Sequence, residues 1–479
     1  MARYQERSFT AEEITAIVSG VLKGHASSPV CGLVTDSREV RQGNLFLALH
    51  GEYQDAHQFI PAAIENGAAA VIADREVSVP EGVALITVPN TLYALAALAK
   101  EHKSHVKAPT AVITGSVGKT TTRSLVAAVV REQYRTLATE GNFNNEIGMP
   151  QTLFGLNGEE ERIVLEAGMN NAGEMHRLSL LAEPDLAIIT CIGTAHIGNL
   201  GSRAGIRDAK MEVTDGMRPG SVLLIPDNEP LLAEKRAAAE ARGIRVLTVG
   251  EGKDADFRIL EIRESADCVQ FDLSEAASGE ICRGLTVFQP GHHIAFDAAF
   301  AYAAARLWEI GPERIRKGLA AYEPVGMRQK ITDADGITII ADCYNASPES
   351  MKASLAVLRK RADSSGGRAI AVLGDMLELG DMSTRLHEEV GAAAACADLC
   401  FLIGTEAPAM KRGAVAAGMD PSAVFGFDAA QEPAAVAHAL LQTVRQGDTV
   451  LFKASRGMRF ERILRAFEDA RQNKENGTK

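Results

Sequence analysis

Short apolar runs rich in β-branched residues recur along the chain, and longer segments of helix-compatible composition separate them. In the central part, the runs at 111–113, 162–165 and 185–191 predict buried strands, and a helix is predicted over 121–132. Strands that alternate with helices in this way form parallel sheets covered by helices on both faces. The pattern therefore predicts an α/β protein.

The same pattern divides the chain into three domains. Residues 1–106 predict a small N-terminal α/β domain, and residues 107–325 predict a central parallel-sheet domain with an antiparallel edge at 256–288. A segment at 322–327 interrupts the alternation and is predicted to be a linker. Residues 326–479 alternate again and predict a doubly wound, Rossmann-like C-terminal domain.

Composition narrows the class of protein. A chain of 479 residues is too long for one ordinary core. Its formal net charge of −12 argues against nucleic-acid binding, and no apolar run is long enough to span a bilayer. The start of the chain, MARYQERSF, lacks the apolar core of a signal peptide. Seven scattered cysteines contain no C-x-x-C pair, so we expect a cytoplasmic protein without structural disulfides, acting as a monomer.

A glycine-rich loop, GSVGKT at 115–120, follows the first central strand and precedes a predicted helix. Such a loop turns backbone N–H groups towards one point at a helix N-terminus, where they can hold phosphate oxygens. Lys119 is then expected to reach the β- and γ-phosphates, and the Thr120 hydroxyl to bind Mg²⁺. Only two residues separate Gly115 from Gly118, so the spacing is tighter than in the usual phosphate loop. We predict a nucleotide phosphate site here.

Two polar side chains follow neighbouring predicted strands. Glu166 ends the strand at 162–165, where a nucleotide-bound Mg²⁺ needs an oxygen ligand. His196 lies after the strand at 185–191, at the edge where open α/β sheets bind ligands. A lone histidine is commonly a structural hydrogen-bonding group, but this one is expected to converge with Glu166 and the phosphate loop. Lys210, by contrast, has the local pattern of a solvated helix lysine.

Three further polar stretches allow two interpretations each. The loop at 141–148 contains three asparagines and is either a turn or a row of amides for a substrate. Ser37 and Arg38 follow a strand and form either a ligand edge or a solvated turn. His292 and His293 open an alanine-rich helix; because adjacent helix residues face apart, one histidine that contacts phosphate or base is favoured over a metal pair.

Several of these stretches together resemble the Mur ligases of peptidoglycan synthesis, and the resemblance runs through all three domains. The shared pieces are TDSREVRQGNLFLALHG, TGSVGKTTT, GNFNNEIGMP, LEAGMNNAGEM, IGTAHIGNLGS, DCYNASPESMKASL, LGDMLELG and KASRGMRFERI. Within the family, the YNASPESM and DMLELG pieces favour the member that adds D-alanyl-D-alanine. The Asp-Asn-Pro-Arg signature of the diaminopimelate-adding relative has no counterpart in this sequence.

The resemblance implies a set of site residues. Catalytic roles fall to Lys119, Asn142, Asn144, Asn145, Glu166, His196 and Lys210, the last matching a lysine that relatives carry as a carbamate. ATP binding falls to Gly115, Ser116, Val117, Gly118, Lys119, Thr120, Thr121, His293, Arg328, Asp342 and Asn345. Mg²⁺ binding falls to Thr120, Glu166 and His196. Ser37 and Arg38 match the pocket for the uridine end of the substrate, and Lys453, Ser455 and Arg456 match the region that receives the dipeptide.

The implied activity is an ATP-dependent amide ligation. The resemblance implies that ATP and Mg²⁺ activate the peptide carboxylate of UDP-N-acetylmuramoyl-tripeptide as an acyl phosphate, which D-alanyl-D-alanine then attacks. One stretch departs from the family pattern G-x-H-N-x-x-N, because Ile294 and Asp297 replace both asparagines. This departure puts the adenine and ribose contacts there in question, though not the phosphate chemistry.

Other functions stay open at this point. The nearest alternatives are a Mur-type ligase that adds lysine or diaminopimelate, and folylpolyglutamate synthetase. A nucleotide-binding scaffold without catalytic activity is a third alternative, favoured by the altered residues 294 and 297 and disfavoured by the intact Lys119, Glu166 and His196. The sequence does not distinguish lysine from a diamino diacid as the third residue of the accepted peptide.

Overall fold

The computed structural model describes residues 8–51 and 54–476 and folds them around three main sheets. The first seven residues, part of the stretch on which the expectation of no signal peptide rests, lie outside the described residues. Within the described part, no helix combines the length and the apolar character that a membrane crossing needs. The prediction of an α/β protein with three domains is confirmed.

The N-terminal domain has a five-stranded sheet in the order β2-β7-β6-β5-β4, with β2 antiparallel and the other neighbours parallel. Thr10 caps the first helix in a capping box with Glu13. The strands are β1 Ser8–Phe9, β2 Val21–Lys23, β3 Val30–Cys31, β4 Leu33–Val34, β5 Leu45–Leu47, β6 Ala70–Ala73 and β7 Ala84–Thr87. The helices are α1 Ala11–Val18, α2 Ile60–Glu65 and α3 Thr91–Ser104.

The central domain has a nine-stranded sheet in the order β16-β15-β14-β13-β12-β11-β8-β10-β9. Strands β8 to β13 run parallel, and β14 to β16 form the predicted antiparallel edge. The strands are β8 Thr110–Thr114, β9 Thr136–Ala138, β10 Arg162–Glu166, β11 Leu186–Ile189, β12 Val222–Pro226, β13 Arg245–Gly250, β14 Phe257–Glu264, β15 Val269–Glu275 and β16 Ile281–Val287. The helices are α4 Lys119–Arg131, α5 Gly148–Leu153, α6 Glu174–Ala182, α7 Ile197–Leu200, α8 Arg203–Met211, α9 Pro230–Ala233, α10 Arg236–Ala241, α11 His292–Leu307 and α12 Pro312–Ala320.

The C-terminal domain has a six-stranded sheet in the order β17-β18-β22-β19-β20-β21, with only β17 antiparallel. The strands are β17 Lys330–Ala334, β18 Ile337–Ala341, β19 Ala369–Gly374, β20 Leu399–Ile403, β21 Val424–Phe427 and β22 Thr449–Lys453. The helices are α13 Pro348–Ser365, α14 Ser383–Ala394, α15 Ala407–Ala416, α16 Pro433–Thr443 and α17 Glu461–Asn476. Helices lie on both faces, as a doubly wound sheet requires.

Burial explains why the central strands contain so little polar sequence. All five residues of β8 are buried, because α4 and α11 pack on one face of the sheet while α5 and α6 cover the other. In a parallel sheet covered on both faces, the loops that follow the strands lie at the carboxyl ends of those strands. Polar groups that follow β8, β10 and β11 therefore gather at that end of the sheet.

The C-terminal domain lies against the central domain next to the linker at 322–327. Gln289 Nε2 donates to the Gln329 carbonyl oxygen at 2.7 Å, and Gln329 Nε2 donates back to the Pro290 carbonyl oxygen at 2.5 Å. Both glutamines are buried. This reciprocal pair of amide hydrogen bonds, the Gln289–Gln329 clasp, joins the last segment before α11 to the first residues after the linker.

Candidate active site

The glycine loop has the geometry that a phosphate site needs. Strand β8 ends at Thr114 and α4 begins at Lys119, with Gly115 at φ 147° and Gly118 at φ 86°. A Cβ on Gly115 would lie 1.9 Å from Thr190 Oγ1, and one on Gly118 would lie 2.6 Å from Asp297 Oδ1. Only glycine therefore satisfies both the backbone angles and the close approach. The predicted strand, loop and helix are confirmed.

Lys119 lies inside this loop and bonds to it. Its Nζ donates to the Gly115 carbonyl oxygen at 2.8 Å and to the Ser116 carbonyl oxygen at 3.4 Å. Burial lowers the pKa of the Lys119 ammonium, and the nearby Glu166 carboxylate opposes that shift. The lysine is thus held at the mouth of the loop, where a phosphate oxygen can replace the carbonyl partners.

One carboxylate oxygen of Glu166 has no hydrogen-bond partner among the described residues. Strand β10 pairs with β8 so that Glu166 lies opposite Ile113, at the same sheet edge as the phosphate loop. Glu166 is buried, and its Oε1 accepts a 2.7 Å hydrogen bond from Asn144 Nδ2. Its Oε2 lies 3.7 Å from Arg123 Nε but is buried and finds no hydrogen-bond partner in the described part of the chain. An unpartnered, desolvated carboxylate oxygen at the end of the sheet where the phosphate loop begins fits a hard cation such as Mg²⁺, and the buried Thr120 hydroxyl belongs to that loop.

His196 follows β11 as predicted, in a left-handed backbone conformation at φ 64°. Its Nδ1 forms a short ion pair with a Glu378 carboxylate oxygen from the C-terminal domain, and this pair lowers the pKa of Glu378. The Glu378 carbonyl oxygen also accepts a 3.1 Å bond from the Gly198 N–H. His196 therefore lies at the junction of the two domains, and its role as a magnesium ligand stays a prediction.

Lys210 corrects the local sequence interpretation. The solvated-lysine prediction is wrong, because Lys210 in α8 is only 1% exposed. Burial holds its pKa well below the ordinary range, and the charge on Lys119 lowers the pKa further. Local spacing could not reveal this, since the burial arises from the packing of α8 beneath the site. A lowered pKa favours the uncharged amine, which is the form that reacts with carbon dioxide to give a carbamate.

The three asparagines of the loop differ in their surroundings. Asn144 orients Glu166, whereas Asn145 Oδ1 accepts bonds from the Ile147 and Gly148 N–H groups and so caps α5. Asn142 is exposed. The loop therefore contains the predicted turn, and contact of its amides with a substrate stays a prediction.

The C-terminal domain supplies cationic side chains around Tyr344. The Arg328 guanidinium carbon lies 3.9 Å from the centre of the Tyr344 ring, and that of Arg456 lies 5.9 Å from it. The charge on Arg328 also lowers the pKa of Lys119, so this arginine of the C-terminal domain lies close to the phosphate loop. Contact of Arg328 with the nucleotide stays a prediction.

Lys453 lies in the interior of the C-terminal domain. Its Nζ donates to Asp342 Oδ2 at 2.6 Å and to the Asn345 carbonyl oxygen at 3.3 Å, and its side chain is 2% exposed. Ser455 is also buried, and its Oγ accepts a 2.9 Å bond from the Leu377 N–H. These groups shape the loop around the predicted dipeptide region, while direct contact with a dipeptide stays a prediction.

The start of α11 differs from the family pattern in a way the structure explains. Burial raises the pKa of Asp297 to about 7, and its Oδ1 accepts a 2.8 Å bond from Thr122 Oγ1. Asp297 thereby supports the underside of the phosphate loop at Gly118. Burial lowers the pKa of His293, while the Asp342 charge opposes that shift. Ile294 packs into the core, so its replacement of an asparagine adds apolar contact.

Ser37 and Arg38 lie in the N-terminal domain and are not drawn into this cluster. The Arg38 side chain is 87% exposed and pairs with Asp36 at 2.6 Å. The two groups that sequence reasoning passed over are Glu349 and Glu378, although both lie in the shared pieces PESM and DMLELG. Their contacts are tertiary, so no spacing signal marked them.

The comparisons with known proteins agree with this geometry. Sequence models of the Mur ligase family match in succession, the catalytic domain at 29–103, the middle domain at 113–305 and the glutamate ligase domain at 327–456. UDP-N-acetylmuramoyl-tripeptide–D-alanyl-D-alanine ligase of Bacillus subtilis (strain 168) is 37% identical over 464 residues, which is 95% of this chain and 97% of that protein.

Solved structures extend the match to the whole fold. The crystal structure of MurF from Acinetobacter baumannii has a TM-score of 0.87 at 29% identity and covers 97% of this chain and 99% of that one. MurF from Thermotoga maritima, solved in complex with ADP, has a TM-score of 0.79 at 27% identity, with 92% and 98% covered. By sequence and by fold, this chain belongs to the Mur ligase family.

Proposed function

We propose that this chain uses ATP to join D-alanyl-D-alanine to the peptide carboxylate of UDP-N-acetylmuramoyl-tripeptide, releasing ADP and phosphate. The observation that carries the proposal is the open Glu166 oxygen beside the phosphate loop, in a chain whose full-length relatives carry the name of this ligase. Because ATP is the energy source, we expect the reaction in the cytoplasm.

The first step must bring two anions together, a peptide carboxylate and a triphosphate. Lys119 and Arg328 supply positive charge at the mouth of the loop, where the protein has already removed water from the lysine. Thr120, Glu166 and His196 would hold Mg²⁺, which neutralises phosphate charge when bound. The Lys210 amine, which is buried and has a lowered pKa, is suited to carry a carbamate whose carboxylate would add a further oxygen ligand.

The product of this step is an acyl phosphate, which water would hydrolyse. The closing domain limits that loss, because Arg328, Glu349 and Glu378 reach the central domain and cover the site. Holding the acyl phosphate and the amine in line contributes much of the remaining acceleration, since alignment of two reactants is worth about 7–11 kcal/mol. The amine then attacks the acyl carbon, and phosphate leaves.

The substrate domain completes the proposal. Ser37 and Arg38 are proposed to bind the uridine end of the precursor, and the exposed guanidinium of Arg38 is free to meet a diphosphate once it leaves Asp36. Asn142 and Asn144 are proposed to face the reacting carboxylate, and Lys453, Ser455 and Arg456 to form the wall of the dipeptide pocket.

An ADP-release assay with paired substrates tests the function. The purified chain is given ATP and Mg²⁺ with UDP-linked tripeptide or UDP-linked dipeptide, and each precursor is combined with D-alanyl-D-alanine, lysine, diaminopimelate or glutamate. A folate with glutamate is tested in parallel. ADP is expected only with tripeptide plus D-alanyl-D-alanine. Turnover with UDP-linked dipeptide and a free diamino acid would replace this proposal by the amino-acid-adding activity, and turnover with the folate and glutamate by the folate activity.

A further inference from the structure

Two carboxylates of the C-terminal domain reach the central domain beside the site, Glu378 and Glu349. Glu378 is paired with His196. Glu349, in the first turn of α13, accepts a 3.0 Å hydrogen bond on Oε1 from Thr194 Oγ1, and none of the ion pairs among the described residues includes it. Of the two, Glu349 is therefore the carboxylate that has no basic side chain within ion-pair distance among the described residues.

The second oxygen of Glu349 is buried and open. Its Oε2 is shielded from solvent and has no hydrogen-bond partner within residues 8–51 and 54–476. The carboxylate also lies directly on the Gly193 backbone, because a Cβ there would be 2.9 Å from both the carboxylate carbon and Oε1. A buried charged acceptor without a donor is unfavourable, because it has lost its hydrogen bonds to water. The geometry is thus that of an acceptor whose donor arrives with a ligand.

Glu349 contacts the segment that follows β11 and bonds to the phosphate loop. Its carboxylate lies on Gly193 and Thr194, two and three positions after Cys191. The Cys191 Sγ accepts a 3.4 Å bond from the Val117 N–H of the loop. Burial raises the pKa of the Cys191 thiol, and the Glu349 charge raises it as well. The open oxygen of Glu349 therefore lies near the phosphate loop.

Charge determines which ligand fits there. The site is built from cations, because it must attract a carboxylate and a triphosphate, and such a field repels the second substrate's reacting group. That group is an amine, which is an ammonium ion in water at neutral pH. An ammonium has three N–H donors and needs an anionic acceptor. The Oε2 atom of Glu349, which has no partner among the described residues, is an acceptor of that kind.

We propose that Glu349 binds the ammonium group of the incoming dipeptide and places its nitrogen beside the acyl carbon. As the nitrogen forms its bond to that carbon, the ammonium gives up two protons to the phosphate oxygens, and the phosphate group leaves as dihydrogen phosphate. The inference rests on the proposed function, because it assigns the amine subsite of that reaction. It makes Glu349 a substrate-binding residue that the closing domain delivers, so the amine subsite is complete only when the two domains meet.

Steady-state kinetics of Glu349→Gln test the inference. The amide has the same shape and still accepts the Thr194 hydroxyl bond, but it removes the charge. We expect KM for D-alanyl-D-alanine to rise about 10-fold or more, the size of a hydrogen bond to a charged group, with KM for ATP and for UDP-tripeptide unchanged. An unchanged KM for the dipeptide overturns the inference.

A dipeptide analogue without the ammonium group separates the effect of that charge from the effect of packing. D-lactoyl-D-alanine replaces the ammonium by a hydroxyl, and it is used as a competitor of the dipeptide. The wild type is expected to bind this analogue more weakly than the dipeptide, by about the factor by which Glu349→Gln raises the KM for the dipeptide. The variant is expected to bind the analogue and the dipeptide with similar affinity. A variant that keeps the full preference for the ammonium overturns the inference.

Thr194→Val is the matched control for a structural role. It removes the hydrogen bond across the domain interface and leaves the carboxylate in place. If Glu349 only fastened the domains together, both variants would raise the KM of all three substrates alike, which overturns the inference. A higher Mg²⁺ requirement in Glu349→Gln without a change in dipeptide KM would make Glu349 a metal residue and also overturn it.

Hydroxylamine separates this inference from the proposed function. As a neutral nucleophile it traps the acyl phosphate as a hydroxamate without needing an ammonium subsite. Wild type and Glu349→Gln are both expected to form hydroxamate from UDP-tripeptide and ATP at similar rates, which also shows that the variant is folded. No hydroxamate from the wild type would refute the ligase function itself. Loss in the variant alone would place Glu349 in the first step and overturn the ammonium assignment.

Discussion

Asn144 holds Glu166 by one oxygen: its Nδ2 lies 2.7 Å from Glu166 Oε1, while Oε2 of the same carboxylate has no hydrogen-bond partner among the described residues. The loop amide thus fixes the carboxylate plane and leaves one oxygen directed elsewhere. Such outer contacts commonly determine how well a metal ligand works.

Asn144→Ala is expected to raise the Mg²⁺ concentration for half-maximal activity by about 10- to 100-fold, because Glu166 loses the bond that orients it. A magnesium titration of ADP release at saturating ATP measures this. Asn145→Ala is the control within the same loop: it removes the cap of α5 and is expected to lower thermal stability with little change in the magnesium requirement. Equal magnesium shifts in both variants would contradict the assignment.

Lys119→Ala is expected to abolish ADP release while the fold stays intact. Within the described residues, the Lys119 side chain donates hydrogen bonds to Gly115 and Ser116 of its own loop, so its removal is expected to leave the core around β8 and α4 unchanged. The measurements are ADP release and the thermal unfolding midpoint of the variant. Near wild-type turnover would refute the phosphate-site assignment.

Lys210→Ala is expected to lose activity and to regain part of it when bicarbonate or short carboxylic acids are added. The reason is that the truncated side chain leaves space in which a small carboxylate replaces the proposed carbamate. Added acetate or formate at several concentrations, with ADP release as the readout, tests this. An active Lys210→Ala variant would remove the lysine from the site, and chloride at equal ionic strength controls for a salt effect.

Asp297 is expected to make stability depend on pH. An aspartate titrates near pH 3.9 in an unfolded chain, whereas burial raises the folded pKa of Asp297 to about 7. Between these values the unfolded state loses the proton first, so the folded state loses stability as pH rises, and the full penalty, at most about 4 kcal/mol, is present above pH 7.

Asp297→Asn removes this penalty and keeps an acceptor for the Thr122 hydroxyl. We expect the variant to unfold at higher urea concentration than the wild type, with a wider gap at pH 8 than at pH 5. Urea unfolding midpoints at the two pH values measure the gap. Thr122→Val is the control, because it removes the donor to the carboxylate and should widen the same pH dependence. A gap independent of pH would contradict the raised pKa.

The fold and the phosphate site could be predicted from local sequence patterns. Strand β8, the glycine turn and the position of Glu166 could be predicted because buried parallel strands read as apolar runs and a phosphate loop is contiguous in sequence. The burial of Lys210 could not, because a lysine on a helix has the same spacing whether its face meets water or another layer.

Asn145 and Glu349 show a second limit. An asparagine in a polar loop fits a cap and a substrate contact equally well, and only the position of α5 decides for the cap. Glu349 matters because Thr194, 155 positions away in sequence, lies beside it after the domains pack. Contacts that arise when two domains pack together leave no pattern in the local sequence.

The Gln289–Gln329 clasp has a mechanical consequence. Each side-chain amide bonds a backbone carbonyl oxygen on the other side of the linker, so the two segments are fixed against each other at this point. Any rotation that separated Glu349 and Glu378 from the central domain without breaking the clasp would have to pivot near Gln329.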